Sequence, residues 1–259
     1  MKVAAICHVH SNWSYDGSWT LEALRDRFRS RGYRVLMMTE HDRGFSGQRL
    51  EEYRRVCAQI SCKEILVVPG IEYSDAQNKV HVLVWGPVPF LGEGLPTVDM
   101  LKGVTQANGV AVLAHPSRRD AWKTFEPAWA EHLLGIEAWN RKYDGWAPSK
   151  TAPALLRQHG AVPFVGLDFH TARQSFRMGM TLDLAGSTVD ESAVIACVRE
   201  RRCHATALGL PLGHALLVRG SGVLTWAEKG RRSAANLYKQ SRMRLKKHQA
   251  RGASAGRPV

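Results

Sequence analysis

Seven short apolar runs constrain this sequence more than any other feature. They occupy residues 3–7, 33–38, 65–71, 80–85, 110–114, 134–139 and 161–167. Each is nearly continuous in apolar residues rather than alternating, the pattern of a strand covered on both faces. Helix-patterned segments lie between several of them. Residues 21–31 have Ser18 or Thr20 as cap and Gly32 as stop; 48–60 and 98–108 follow, the latter closed by Gly109; 151–159 ends at Gly160. Residues 190–202 read as the last strongly periodic helix. Such alternation predicts an α/β fold, either a parallel barrel or a doubly wound sheet. One junction differs: 67–71 and 80–85 are close enough to read as a direct hairpin.

Polar residues fall at the ends of these runs. His8 and His10 follow the first, His41 the second and Glu72 ends the third; His81 opens the fourth, His115 ends the fifth, and Asp168 and His170 end the seventh. Parallel strands present their carboxyl ends on one rim, so side chains scattered over about 160 residues would converge there. Asp16, in the loop after His10, can reach the same rim. Imidazole and carboxylate together suit zinc, manganese and iron. Six of the eleven histidines belong to this set, and Glu72, with two carboxylate oxygens, could bridge two ions. A lone HxH or AHP would carry little; the ordered recurrence at strand ends carries the reading.

Taken together, HVHSNWSYDG, TEHD, PGIEYS with KVHVLVWG, LAHP and GLDFH resemble the successive motifs of the PHP (polymerase and histidinol phosphatase) superfamily, over residues 1 to about 185. The resemblance implies a distorted seven-stranded (β/α)7 barrel that holds two or three divalent ions (Mn, Zn or Fe) and hydrolyses phosphate esters through a metal-bridging hydroxide. It implies a first ion on His8, His10, Glu72 and Asp168, a second shared by Glu72 with His81 and His115, and a third on Asp16, His41 and His170. Glu72, Asp168 and His170 would be the catalytic residues. Two positions depart from the family pattern: Glu40 stands where Asp commonly precedes the histidine, and Asp16 comes one residue later than in many members.

Arg118, Arg119, Arg141 and Arg173 follow strand-end residues and are candidate phosphate holders, because a guanidinium can bond two oxygens at once. Among them Arg173, Arg118 and Arg141 are expected to bind substrate. Glu137 and Asn140, in GIEAWNRKYDG, are expected near the site. Trp13, Trp122, Trp129, Trp139 and Trp146 read as core or rim packing more than as a stacking platform.

The net charge of +13 is unevenly placed: residues 225–259 carry ten Lys or Arg and one acid, Glu228. The chain therefore divides into a catalytic body, 1–224, and a basic arm, 225–259, helical at first and disordered at its end. The expected substrate is a phosphorylated small molecule or nucleotide. The alternatives are a nucleotide phosphodiesterase or exonuclease whose arm holds nucleic acid, and a non-catalytic, metal-stabilised binding module. Five scattered cysteines without CxxC are expected as reduced thiols. No apolar run is long enough for a transmembrane segment, and the opening MKVAAICHVHSNW lacks the pattern of a secretory signal, so a cytoplasmic location is expected.

Overall fold

A computed structural model describes residues 1–213 and 222–254. In chain order the elements are β1 (Lys2–Val9), α1 (Leu21–Arg29), β2 (Val35–Met38), β3 (Glu40–His41), α2 (Gly47–Ile60), β4 (Leu66–Val68), β5 (Gly70–Ser74), β6 (His81–Trp85), α3 (Thr97–Gln106), β7 (Val110–Leu113), α4 (Pro127–Ala130), β8 (Gly135–Asn140), α5 (Ala152–His159), β9 (Val162–Gly166), β10 (Met178–Asp183), α6 (Glu191–Arg199), β11 (Cys203–Ala207), β12 (Leu210–Pro211) and α7 (Gly222–Ser254). Short 3-10 helices span Arg118–Thr124 and Ala172–Gln174. The expected helices are all present, and local chemistry sets their ends. Thr20, Ser46 and Asp190 cap α1, α2 and α6 with side-chain oxygens, while Gly32 and Gly160 take the positive φ that lets the chain turn away.

The strands form two mixed sheets of six, in the orders β12-β11-β10-β1-β2-β4 and β3-β5-β6-β7-β8-β9. This corrects the closed seven-stranded barrel expected from the sequence, since neither sheet closes on itself. The physical reason lies in two breaks, one within an apolar run and one just after another. Pro69, with no N–H to offer a ladder, separates β4 from β5, and Thr39 separates β2 from β3. At each break the chain therefore passes from one sheet to the other. The sheets meet where the tip of β1 leaves its own ladder. Leu167, Phe169 and His10 donate backbone N–H bonds to the carbonyls of Cys7, His8 and Phe169, respectively.

Antiparallel pairing enters both sheets. β6 pairs antiparallel with both β5 and β7, as the hairpin reading requires. β10, whose sequence MGMTLD gave no apolar run, pairs antiparallel with β1 and β11. Gly179 allows that close fit, because a Cβ there would stand 2.2 Å from the Ala5 carbonyl oxygen. The core between sheets and helices is built from the apolar runs, with Ile6, Leu36, Met37, Met38, Trp85 and Trp139 fully enclosed. Burying a side chain of this size contributes about 1.5–3 kcal/mol.

Helix α7 starts against the body through Glu228. Its buried carboxylate accepts hydrogen bonds from the Trp146 N–H (3.0 Å), Arg231 and Arg232, and Arg232 also donates to the Tyr143 and Asp144 carbonyls. Gly145 makes room for this contact: a Cβ there would lie 2.2 Å from Glu228 Oε1. Val223, Trp226 and Tyr238 on the same helix are exposed. The end of the arm, 255–259, expected to be disordered, lies outside the described residues. All five cysteines are unpaired, and among the described residues no helix is long and apolar enough to cross a membrane.

Candidate metal centre

All nine strand-end residues converge at one rim. β1 supplies His8 and, immediately after the strand, His10; β3 supplies His41, β5 Glu72, the turn after β7 His115, and the turn after β9 Asp168 and His170. His81 is the first residue of β6, yet it belongs to the same rim because β6 runs antiparallel between β5 and β7. His8, His115 and Asp168 each have positive φ, and the β1–β2 register slips between Cys7 and Val9. A left-handed conformation in a residue with a Cβ costs of order 1–3 kcal/mol and persists where surrounding structure fixes it, often at functional sites.

Glu72 is the hub. One of its oxygens lies 2.8 Å from His81 Nδ1, 2.9 Å from His115 Nε2 and 3.5 Å from His8 Nε2; the other lies 3.1 Å from His41 Nδ1 and 3.4 Å from His10 Nε2. Asp168 faces the same space, with His8 and His10 Nε2 at 3.9 and 3.7 Å and His170 Nδ1 at 3.2 Å. Asp16 reaches in from its loop to His170 Nε2 (3.0 Å) and His41 Nε2 (3.4 Å). Eight of the nine are buried, and Asp16 lies at the opening.

A further set of side chains holds these donors in place. Glu137 accepts from His8 Nδ1 (2.8 Å), the His115 N–H (2.7 Å) and Asn140 Nδ2 (2.9 Å), which orients two imidazoles through one carboxylate. Lys142 donates to Asp168 Oδ1 at 3.0 Å. The Tyr143 ring lies 4.8 Å from that of His115, and its hydroxyl accepts from Arg118 Nε. Asn78 accepts from His81 Nε2 at 2.6 Å and from Arg118.

The charges of the cluster follow from this geometry. Burial favours the neutral forms of Glu72 and Asp168, but the surrounding imidazoles overcome it, and both are held well below the usual carboxylate range. Burial opposes protonation of His41 and His170 as well. There Asp16 with Glu72, and Asp16 with Asp168, win and push the two up to about 10 and about 9. His10 goes the other way, held well below its ordinary value by burial and by His41 and His170 beside it.

This arrangement passes a direct test for cation binding. His8 Nε2 and His10 Nε2 are buried, have no hydrogen-bond partner, and face two carboxylates. A buried nitrogen lone pair left unused is costly, and a shared cation satisfies it. Three donor triplets lie close enough to hold an ion: His8, Glu72 and His115; His8, His10 and Asp168; and His10, His41 and His170.

No protein-family profile matches the chain, and no curated protein matches it. Solved structures do. A two-domain protein from Bacteroides vulgatus containing a predicted PHP-like metal-dependent phosphoesterase superposes with a TM-score of 0.62 at 17% identity, over 85% of this chain and 68% of that one. The two chains share a fold. PsfC from Pseudomonas syringae gives 0.60 at 17% identity over 93% of this chain and 98% of its own. PfuEndoQ, a lesion-specific endonuclease from Pyrococcus furiosus, gives 0.56 at 14% identity over 77% of this chain and 56% of its own.

Within this fold, Glu40 contacts the loop that carries Asp16. Glu40 is not among the donors. Its buried carboxylate accepts from the Ser11 N–H, the Ser11 hydroxyl and the Ser14 hydroxyl (2.5 Å), while Ser14 Oγ accepts from the His41 N–H. The longer Glu side chain thus anchors the longer loop that delivers Asp16. Lys142 escaped the sequence reading because nothing distinguishes a lysine in a polar loop from a solvated one until Asp168 is placed beside it. Of the candidate arginines, Arg118 lies at the rim through Tyr143 and Asn78. Arg173 is exposed on its short helix, and Arg141 packs over the Phe176 ring at 5.6 Å. Trp129 and Trp139 are core residues, and Trp146 is exposed beside Arg231.

One opening reaches the cluster and a second lies near it. A recess of about 260 Å³ reaches His41 and His81 between Tyr15, Arg43 and Asn78. A larger cleft of about 700 Å³ runs from Ser117 and Tyr143 to the start of α7.

Proposed function

We propose that this chain is a metal-dependent hydrolase of phosphate esters, with two or three divalent ions of the Mn, Zn or Fe class held by His8, His10, Asp16, His41, Glu72, His81, His115, Asp168 and His170. The observation that carries the proposal is the Glu72 carboxylate ringed by five imidazoles, two of which have buried, unpartnered Nε2 atoms. So many buried donors around one carboxylate have little value as packing, since each must be desolvated. Divalent ions in such a site lower the pKa of water and neutralise charge on a phosphoryl oxygen.

The protein's own groups have separable roles in this reading. Glu72 and Asp168, both held below the usual carboxylate range, would hold the cations. Glu137 orients His8 and His115 from behind. Lys142, whose ammonium donates to Asp168, brings a positive charge to the edge of the cluster. His170, set between Asp16 and Asp168, holds or moves a proton at the more open edge of the cluster. Arg118 is the arginine best placed to hold the phosphoryl group, with Arg141 and Arg173 as further candidates. The catalytic unit in this reading is 1–224, with 225–259 as a separate basic arm.

A second reading, a nucleotide phosphodiesterase or exonuclease, is favoured by the fold shared with a lesion-specific endonuclease and by the cleft beside α7. A non-catalytic metal-stabilised module is the remaining alternative. Metal analysis of the purified protein, followed by a panel of aryl phosphates, nucleotides and oligonucleotides, separates the three. Release of phosphate or nucleotide is the expected result. Stoichiometric metal with no turnover on any member would overturn the enzymatic reading.

A further inference from the structure

We infer that the cleft between the 117–119 turn, the 143–151 loop and the start of α7 is an anion subsite that receives a second phosphate group of the substrate, beyond the one hydrolysed. The inference deepens the phosphoesterase reading and rests on it for the identity of the first phosphate. The cleft lies beside the cluster, one side chain away from His115. Ser117 follows His115 by two residues, and Tyr143 lines the cleft while its ring lies against that of His115. A substrate whose reacting phosphate sits at the cluster would extend naturally past Tyr143.

Five cations line this space: Arg118, Arg119, Lys150, Lys229 and Arg232. The two acids that also line it are already engaged. Asp144 is buried and accepts from the Ser117 hydroxyl (2.8 Å) and the Asn140 N–H (2.8 Å). Glu228 is saturated by Arg231, Arg232 and the Trp146 N–H. Arg118 and Arg119 bond only neutral acceptors on Asn78, apart from the Tyr143 hydroxyl, and among the described residues Lys150 and Lys229 form no ion pair. Four cations without carboxylate partners in one concave space create a positive potential that a phosphate neutralises, and concave walls focus it. Arginine forks favour a phosphate over a simple carboxylate here, since three non-ester oxygens can be shared among several donors.

Helix α7 is part of this site because of its one acid. Glu228, clamped at Gly145 and Trp146, fixes the first turns of the helix and so places Lys229 and Arg232 in the cleft wall. The arm therefore serves substrate recognition at its root, whatever its far end does. The second phosphate could belong to a free nucleotide with two separated phosphates or to the next linkage of a polynucleotide.

The test compares the full-length protein with a Lys150→Glu/Lys229→Glu variant; both side chains are exposed, and neither is needed to dock the helix. Three substrates are used: an aryl monophosphate, a nucleoside bisphosphate, and a 5′-phosphorylated trinucleotide. The ratio of kcat/KM for a two-phosphate substrate to that for the aryl phosphate should fall about tenfold or more in the variant. A fall confined to the bisphosphate identifies a free nucleotide, and a fall confined to the trinucleotide identifies a nucleic-acid strand. Binding of the same two ligands to metal-stripped protein, measured by calorimetry, should weaken to a similar degree and more so at low salt. If the parent shows no turnover but the charge-dependent binding is present, the catalytic reading fails and the subsite stands. Equal affinities and equal ratios in parent and variant overturn the subsite.

Discussion

The rim of the strands and the C-terminal helix both concentrate charge, but they handle it in opposite ways. At the rim, six imidazoles and three carboxylates come from remote parts of the chain, and all but Asp16 are buried. Their charges are matched against one another inside a low-dielectric space, so each depends on the rest. On α7 the cations follow one another along a single helix, and one buried acid, Glu228, anchors the start. The difference teaches where function can be altered in pieces. A change within the rim propagates through every coupled donor, whereas a change on the helix acts on its own contact.

Replacing the hub is the most severe way to test this contrast. Glu72→Gln should remove metal from the isolated protein and lower kcat/KM by about a thousandfold or more, read by elemental analysis and by phosphate release. If that variant retained both its metal and parental turnover, the rim would not be a coupled unit. Next in size is Glu137→Gln, which leaves every donor present but loosens His8 and His115. Loss of such outer support typically costs about 10–100-fold in affinity or activity, so titration with Mn or Zn should show a weakened but measurable site.

Cation binding should also displace protons. His41 and His170 are pushed up to about 10 and about 9 in the cation-free protein, so near neutrality both are protonated and must discharge when a metal takes their nitrogens. Calorimetric titrations in buffers of different ionisation enthalpy should show proton release, and apparent affinity should rise as pH rises from 6 to about 9. Identical heats in all buffers would argue against these histidines as ligands.

The helix should respond on a smaller and more local scale. Deleting 226–259 should lower the ratio of turnover on single-stranded DNA to turnover on an aryl phosphate by about tenfold and flatten its salt dependence. Smallest is the acid release of the anchor. Burial tends to raise the Glu228 pKa, but Arg231 and Arg232 outweigh it and hold it at about 2. A depressed carboxyl stabilises the docked state above the ordinary glutamate range and loses that contribution as pH falls toward 2. Hydrogen-exchange protection of the Trp146 amide should therefore fade across that interval, ahead of exchange in β8.

Much of this was legible in the sequence because the signals were local. The seven runs, the helix caps and the donors at strand ends each depend on a few neighbouring residues. Strand direction and strand breaks were less accessible. Nothing in LVVPGIE by itself says that Pro69 passes the chain from one sheet to another, and MGMTLD became a strand only because β1 offered it an edge. The roles of Glu40 and Lys142 were hidden for the same reason. Each acquires its meaning from a partner about 26 or more positions away, Ser14 for one and Asp168 for the other.

The hairpin of β5 and β6 has a consequence for how the centre assembles. Glu72 and His81 are nine positions apart, while His115, another contact of the same carboxylate oxygen, is 43 away. Closing a short loop sacrifices less chain entropy than closing a long one, and hairpins form within about 1–10 μs. The Glu72–His81 pair is thus the part of the centre whose closure costs the chain least entropy, and the more remote imidazoles are the ones whose placement depends on the rest of the fold.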